Sequence, residues 1–311
     1  MHRPVAILCS GQAGQHSAMF DLFANSPAAE PVFVAASELL GEDPRRFVRR
    51  APEADLFTDR VAQILCCTQA LAAWAGLDTA RPAHAVIAGY SVGELAAWGC
   101  AGALDMSAVL QLAQRRAAAM EAAAPRDSGL AAVVGLSRPV LDPILERHAA
   151  AIAIVNGADS FVIGGLSAAL DAACRDATAS GATRAFRLRV SVPSHTMLLS
   201  EAANAFRGAL QAAAPRPPHA TYRLLSGIDG DTVHDIETGC DKLAHQICAP
   251  VDWAACLESC REAEAVMALE LGPGRALSHL AEAFFPTGGT RSTEDFRTVA
   301  GLSAWLSRSS D

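Results

Sequence analysis

Ser91 stands between Gly89 and Gly93 in the stretch VIAGYSVGELAAWG, where a short apolar strand gives way to an alanine-rich helix. A G-x-S-x-G turn of this kind lifts its serine above the sheet edge and sets the hydroxyl at a helix N-terminus. That is the placement of a nucleophile, with the N–H of Val92 aimed at an oxyanion on the attacked acyl group. The same five residues also suit a serine that merely caps its helix, so the neighbours must decide. A nucleophilic serine needs a base. His195, in SVPSHTMLL, follows the last strand of the middle segment, at a junction where a cleft is expected. His2 and His16 are the weakest of the other histidines. The loop SGQAGQ offers the N–H of Gln12 as a second oxyanion donor, with Gly11 and Gly14 allowing close approach of its backbone.

One arginine stands out. In LAQRRAAAM, helical spacing sets Arg116 on the face of Leu112, Ala113 and Met120, whereas Arg115 lies beside Gln111. A guanidinium among apolar neighbours needs an anion. Either a structural carboxylate supplies it, or a substrate carboxylate held in a bidentate pair.

These residues must be carried by a scaffold, and the strand and helix patterns alternate as in an α/β protein with a parallel sheet. PVAILCSGQ reads as a first strand with its loop, AHAVIAGYS as a second, and AEAVMALELGPG as a late buried strand. Helices are expected over 56–74, 93–101 and 106–123. Residues 128–190 instead read β-α-β-β-α-β, the ferredoxin-like order. The expected architecture is an α/β-hydrolase-like large domain of residues 1–127 and 191–311, with a ferredoxin-like small domain, 128–190, inserted.

The chain has 311 residues, 51% hydrophobic, with a formal net charge of −8. That charge argues against a nucleic-acid binder. No apolar run approaches the roughly 18 residues that span a bilayer, so no membrane partner is expected and the cytoplasm is the expected location. Nine cysteines without a C-x-x-C pattern read as reduced thiols, and no histidine–cysteine cluster has metal-ligand spacing. Arg187 and Arg189, on one face of the strand ATRAFRLRV, form either a candidate basic patch for an acidic partner or simply a solvated face.

Together these segments resemble the malonyl-CoA:acyl carrier protein transacylase family over essentially the whole chain. The family's G-Q-G-x-Q loop matches Gly11 to Gln15 with Ala13 in place of a glycine, and its G-x-S-x-G-E elbow matches Gly89 to Glu94. Its arginine and methionine match Arg116 and Met120, and its P-S-H matches Pro193 to His195. The resemblance implies Ser91 as the acyl acceptor and Asn156, Tyr90 and Met120 as cleft lining. It also implies a backbone carbonyl in APVDW, that of Asp252, as the group that orients His195. Cys9-Ser10 stands where fatty-acid-synthesis members usually have Phe-Pro, and Tyr90 where they have histidine. GYSVGELAAWGCAGAL and LLSGIDGDTV look more like the epsilon subunit of malonate decarboxylase. The implied activity is malonyl transfer from malonyl-CoA to an acyl carrier protein, that decarboxylase's carrier subunit above others. The alternatives are a transacylase of fatty-acid or polyketide synthesis and, further off, a serine hydrolase. No tightly bound cofactor is implied; the CoA thioester and the carrier's prosthetic arm are substrates.

Overall fold

Along the first strand, β1 (Val5–Cys9), side chains alternate between two apolar cores. Val5, Ile7 and Cys9 enter one, and Ala6 and Leu8 the other. Such a continuous apolar run is what a sheet covered on both faces requires. The computed structural model describes residues 3–287 and 289–310. After β1 come α1 (Glu30–Leu40), α2 (Pro44–Arg50), α3 (Asp59–Leu77), β2 (Ala85–Gly89), α4 (Gly93–Cys100) and α5 (Met106–Ala123). The middle segment is β3 (Ser128–Val134), α6 (Arg138–His148), β4 (Ala151–Gly157), β5 (Ser160–Leu166), α7 (Ser167–Ala179) and β6 (Arg184–Arg187). The chain then forms α8 (Ser200–Ala212), β7 (Tyr222–Leu224), α9 (Ile236–His245), β8 (Val251–Asp252) and α10 (Trp253–Glu262). It ends through β9 (Ala268–Glu270), α11 (Ala276–Ala281), β10 (Thr290–Ser292) and α12 (Val299–Leu306).

Two sheets result. The large one runs β10-β9-β1-β2-β7, all parallel. The small one runs β6-β3-β5-β4, all antiparallel, in the ferredoxin-like order, with α6 and α7 on one face. Its edge is extended by β8, which pairs parallel with β4 although it lies far along the chain from 128–190. Between the sheets, Ala6, Leu8, Val86 and Ala88 share a core with Leu130, Ile154 and Val162, sealed by Trp253 and Cys256 of α10. The small sheet is therefore fixed against the large one by packing as well as by chain connection.

On the opposite face of the large sheet, α3 is the central helix, packed by α1, α4 and α5. Residues 59–80 are long and apolar enough to cross a bilayer, contrary to the expectation of no such run. Yet 89% of that apolar window is buried inside the protein, so it is a core helix.

Glycines at the head of α4 hold the layers together. A Cβ at Gly93 would stand 2.2 Å from the carbonyl oxygen of Cys9, and backbone on both sides prevents relief. Gly93→Ala is therefore expected to destabilise by at least about 1–3 kcal/mol, the scale of overpacking. Gly208→Ala in α8, where an added Cβ meets nothing within 4 Å, should instead stabilise by about 0.5–1 kcal/mol. Thermal unfolding of the two variants checks the contrast.

Candidate active site

The parallel order sets the ends of β1 and β2 side by side, so the loop 10–15 and the elbow 89–93 share one edge. Open α/β sheets bind ligands at such carboxyl ends. Ser91 occupies the left-handed region at φ +57°, the strain expected of a nucleophile elbow. A Cβ at Gly89 would lie 2.2 Å from the Glu94 nitrogen, which is why the turn into α4 can be so tight. Val92 precedes α4, so its N–H belongs to the first turn, where no helical carbonyl is available to accept it.

His195 reaches the elbow from the segment that leaves the small sheet. Its own N–H donates to the Ile247 carbonyl at 2.8 Å, and its backbone is left-handed at φ +62°. Ring Nε2 lies 2.8 Å from Ser91 Oγ, and ring Nδ1 lies 2.6 Å from the Gln246 carbonyl oxygen. A carbonyl only accepts, so Nδ1 carries the proton and Nε2 is free to accept from the serine. Burial, and next the positive charge of Arg116, press the imidazole pKa down to about 3; the Gln246 carbonyl opposes them. The ring is neutral throughout the physiological range.

Arg116 is 1% exposed, and among the described residues no carboxylate lies within 4.0 Å of it. Its guanidinium instead donates to two amide oxygens, Gln63 Oε1 at 2.8 Å and Gln246 Oε1 at 3.2 Å. Behind each amide stands an acid. Gln63 Nε2 donates to Asp59 Oδ2 at 2.8 Å, and Asp59 Oδ1 accepts from Gln12 Nε2 at 2.9 Å. Gln246 Nε2 donates to Glu94 Oε2 at 2.5 Å and to the Ser91 carbonyl at 3.2 Å. Burial lowers the Arg116 pKa, and Asp59 and Glu94 resist that shift from a distance. A desolvated cation held by neutral oxygens, beside a serine–histidine pair, is a receptor for an anionic group.

The structure places the other residues singled out in the sequence as follows. Asp252 does not orient His195: its carboxylate caps α10 by accepting from the Ala255 N–H at 2.9 Å, and the carbonyl facing the histidine is that of Gln246. Gln246 ends α9, whereas Asp252 lies further on in β8, where it pairs with Val155 of β4. Met120 does not line an open cleft; it is fully buried, and its sulfur lies 3.6 Å from Gln63 Nε2 beneath the arginine. Tyr90 packs edge-on against Trp253, with centroids 5.4 Å apart, and burial pushes its hydroxyl up while the facing Asn156 amide draws it down. Asn156 leaves its Oδ1 buried without a partner. Arg187 bonds to Ser167 and Asp171, and Arg189 pairs with Glu53 at 2.5 Å over the Phe57 ring, so each of the two already has an acidic partner. His2 lies outside the described residues, and His16 pairs with Glu294 at 2.9 Å. Cys66 and Cys67 bond the carbonyls of Gly11 and Val92, and burial pushes the Cys67 thiol up to about 12, so neither is a nucleophile.

Sequence reasoning passed over Gln63, Asp59 and Gln246. Asp59 and Gln63, one helical turn apart in the mostly apolar α3, were a readable signal; Gln246 had none.

Residues 7–281 match the acyl transferase domain family. The chain is 28% identical over 289 residues to the malonyl CoA-acyl carrier protein transacylase of Salmonella typhimurium, covering 91% of this chain and 93% of that one. It is 30% identical over 305 residues to the transacylase of the same name from Mycobacterium bovis, covering 96% and 100%. In structure it is similar to the Coxiella burnetii malonyl CoA-acyl carrier protein transacylase, with a TM-score of 0.90, 27% identity and coverage of 100% and 99%. It is also similar to a malonyl-transacylase solved in complex with its type II polyketide acyl carrier protein, with a TM-score of 0.89, 27% identity and coverage of 98% and 99%.

The depressed His195 pKa has a stability consequence. An unfolded histidine takes up a proton near pH 6.5, whereas the folded ring does so only near 3. Between those values the unfolded state binds more protons, so this residue's contribution to stability falls as pH drops through the window. Lowering the pH from 7 to 5 should therefore shift the Tm difference between wild type and His195→Gln in the variant's favour. A gap that does not move would contradict a buried neutral ring.

Proposed function

This chain belongs to the acyl transferase domain family, as an enzyme of the malonyl-transferring kind, and from that premise we propose how it works. Malonyl moves from malonyl-CoA to Ser91 and from there to the thiol of an acyl carrier protein. The observation that carries the reading is Arg116, a buried cation with no contacting carboxylate among the described residues, in one hydrogen-bonded network with the Ser91–His195 pair. The acyl carboxylate supplies its missing anion.

In this scheme His195 Nε2 takes the Ser91 proton as Oγ attacks the thioester carbonyl. The N–H groups of Val92 and Gln12 hold the tetrahedral oxyanion. His195 then returns the proton to the departing CoA thiolate, and the carrier's thiol reverses the steps. The charge of Arg116 is one of the causes that depress His195. A carboxylate bound there offsets that charge, so the substrate raises the basicity of the histidine that acts on it. No tightly bound cofactor enters the scheme, and we place the reaction in the cytoplasm.

The histidine is oriented by a neutral carbonyl, which supports transfer over a hydrolase triad. The relatives reported above are carrier-protein transacylases, and this supports a carrier of fatty-acid or polyketide synthesis over the malonate decarboxylase subunit suggested by GYSVGELAAWGCAGAL and LLSGIDGDTV.

Ser91→Ala should abolish both transfer and the malonyl adduct seen by intact mass. Arg116→Ala should lower kcat/KM for malonyl-CoA on the order of 10²-fold, the scale of a lost charge-assisted pair, and affect acetyl-CoA far less. Equal losses for the two thioesters, together with a large fall in Tm, would assign Arg116 a purely structural role. Sustained thiol release from malonyl-CoA without any carrier would favour hydrolysis.

A further inference from the structure

The acids behind the two amides are not equivalent. Both oxygens of Asp59 accept a hydrogen bond, from Gln12 and from Gln63. Glu94 is 1% exposed; its Oε2 accepts from Gln246 while its Oε1 is buried with no partner among the described residues. An ionised carboxylate with one bare oxygen in the interior is costly, and a proton on Oε1 relieves that cost without breaking the bond from Gln246. Gln246 is the single side chain between this acid and Arg116.

We propose that Glu94 takes up a proton from solvent when the substrate's carboxylate docks on Arg116, with Gln246 as the link between the two sites. The proposal rests on the malonyl-transfer reading above. Charge balance drives it. With Arg116 charged and both acids ionised, the buried cluster carries one net negative charge, and an arriving carboxylate would make it two. Protonation of Glu94 restores it to one. Burial raises the Asp59 carboxyl too, but Gln12, Arg116 and Gln63 hold it down and both its oxygens accept hydrogen bonds, so Asp59 remains the counter-charge.

The groups facing Glu94 leave it as the member that changes. Burial brings it up to about 7, against the Gly227 N–H, Gln246 and, from α5, the charge of Arg116, which all favour its ionised form. Asp229, in the turn before α9, adds repulsion but is paired with Lys242 at 2.5 Å. From α3, β1 and α10 come Cys67, Cys9 and Cys256, thiols that burial or their neighbours hold neutral, and β2 presents no titratable side chain. His195 is neutral in the same range.

Acyl transfer itself releases no proton near pH 7, because the leaving CoA thiol keeps the one taken from serine. Any uptake therefore reports the docking event. The test compares KM for malonyl-CoA with the inhibition constant of acetyl-CoA as a competitor, across pH 6–9, in wild type and Glu94→Gln. The CoA phosphates are common to both ligands and cancel in the ratio. In wild type the malonyl/acetyl ratio should rise by about fivefold between pH 7 and 9, most of the tenfold span that one pKa unit of coupling upward from about 7 produces. In Glu94→Gln it should be flat. A flat ratio in wild type, or a slope that persists in the variant, overturns the proposal. Should Glu94→Gln fail to fold, malonylation of wild type near pH 7 in two buffers of different ionisation enthalpy gives the same answer. A fraction of a proton is expected per malonyl group bound and none for acetyl-CoA, and equal values for the two overturn the coupling. Wild type that transfers malonyl with a flat ratio defeats this proposal alone, whereas wild type that transfers no malonyl defeats the function and the proposal together.

Discussion

A guanidinium taken out of water must be solvated by the protein, and in this molecule that requirement organises the site. Arg116 is met by oxygens of Gln63 and Gln246, and each of those amides must in turn be held with its oxygen inward. Asp59 and Glu94 do this by accepting the amide N–H groups. The result is a chain of bonds from Gln12 in the first loop, through α3 and α5, to the turn after α9 and the head of α4. Direct contact with a carboxylate would satisfy the cation more simply. It would also occupy the position an acyl carboxylate needs, so the amide spacers preserve both stability and a binding site.

The same glutamine joins charge recognition to chemistry. The side chain of Gln246 faces Arg116 and Glu94, while its carbonyl fixes the proton of His195 on Nδ1. The serine end is equally constrained. Ser91 and His195 both take left-handed backbone conformations that few non-glycine residues adopt, and each is held there by packed neighbours. Preorganisation of this kind leaves little to rearrange as charge develops on the acyl oxygen.

Much of this was legible in the residues. The unbroken apolar run VAILC marked a buried strand, and the β-α-β-β-α-β order of 128–190 specified the small sheet, because local periodicity and turn residues are encoded locally. The elbow glycines declared a tight strand-to-helix turn for the same reason. Arg116 announced itself by helical phase, since the apolar identity of Leu112 and Met120 is enough to say which face is buried.

What lay beyond the sequence is what joins distant segments. No local pattern says that the carbonyl at 246 rather than 252 faces the histidine; residue 252 is instead drawn onto β4 with β8, a pairing across about a hundred residues. Nor does any pattern separate a paired arginine from a free one. Arg187 and Arg189 looked available and are bound to Asp171 and Glu53, whereas Arg116 looked in need of an acid and was given two amides. Sequence fixes which side chains are buried, because burial follows from residue type and period. Which polar groups then meet depends on how separate elements stack, and only the tertiary structure decides it.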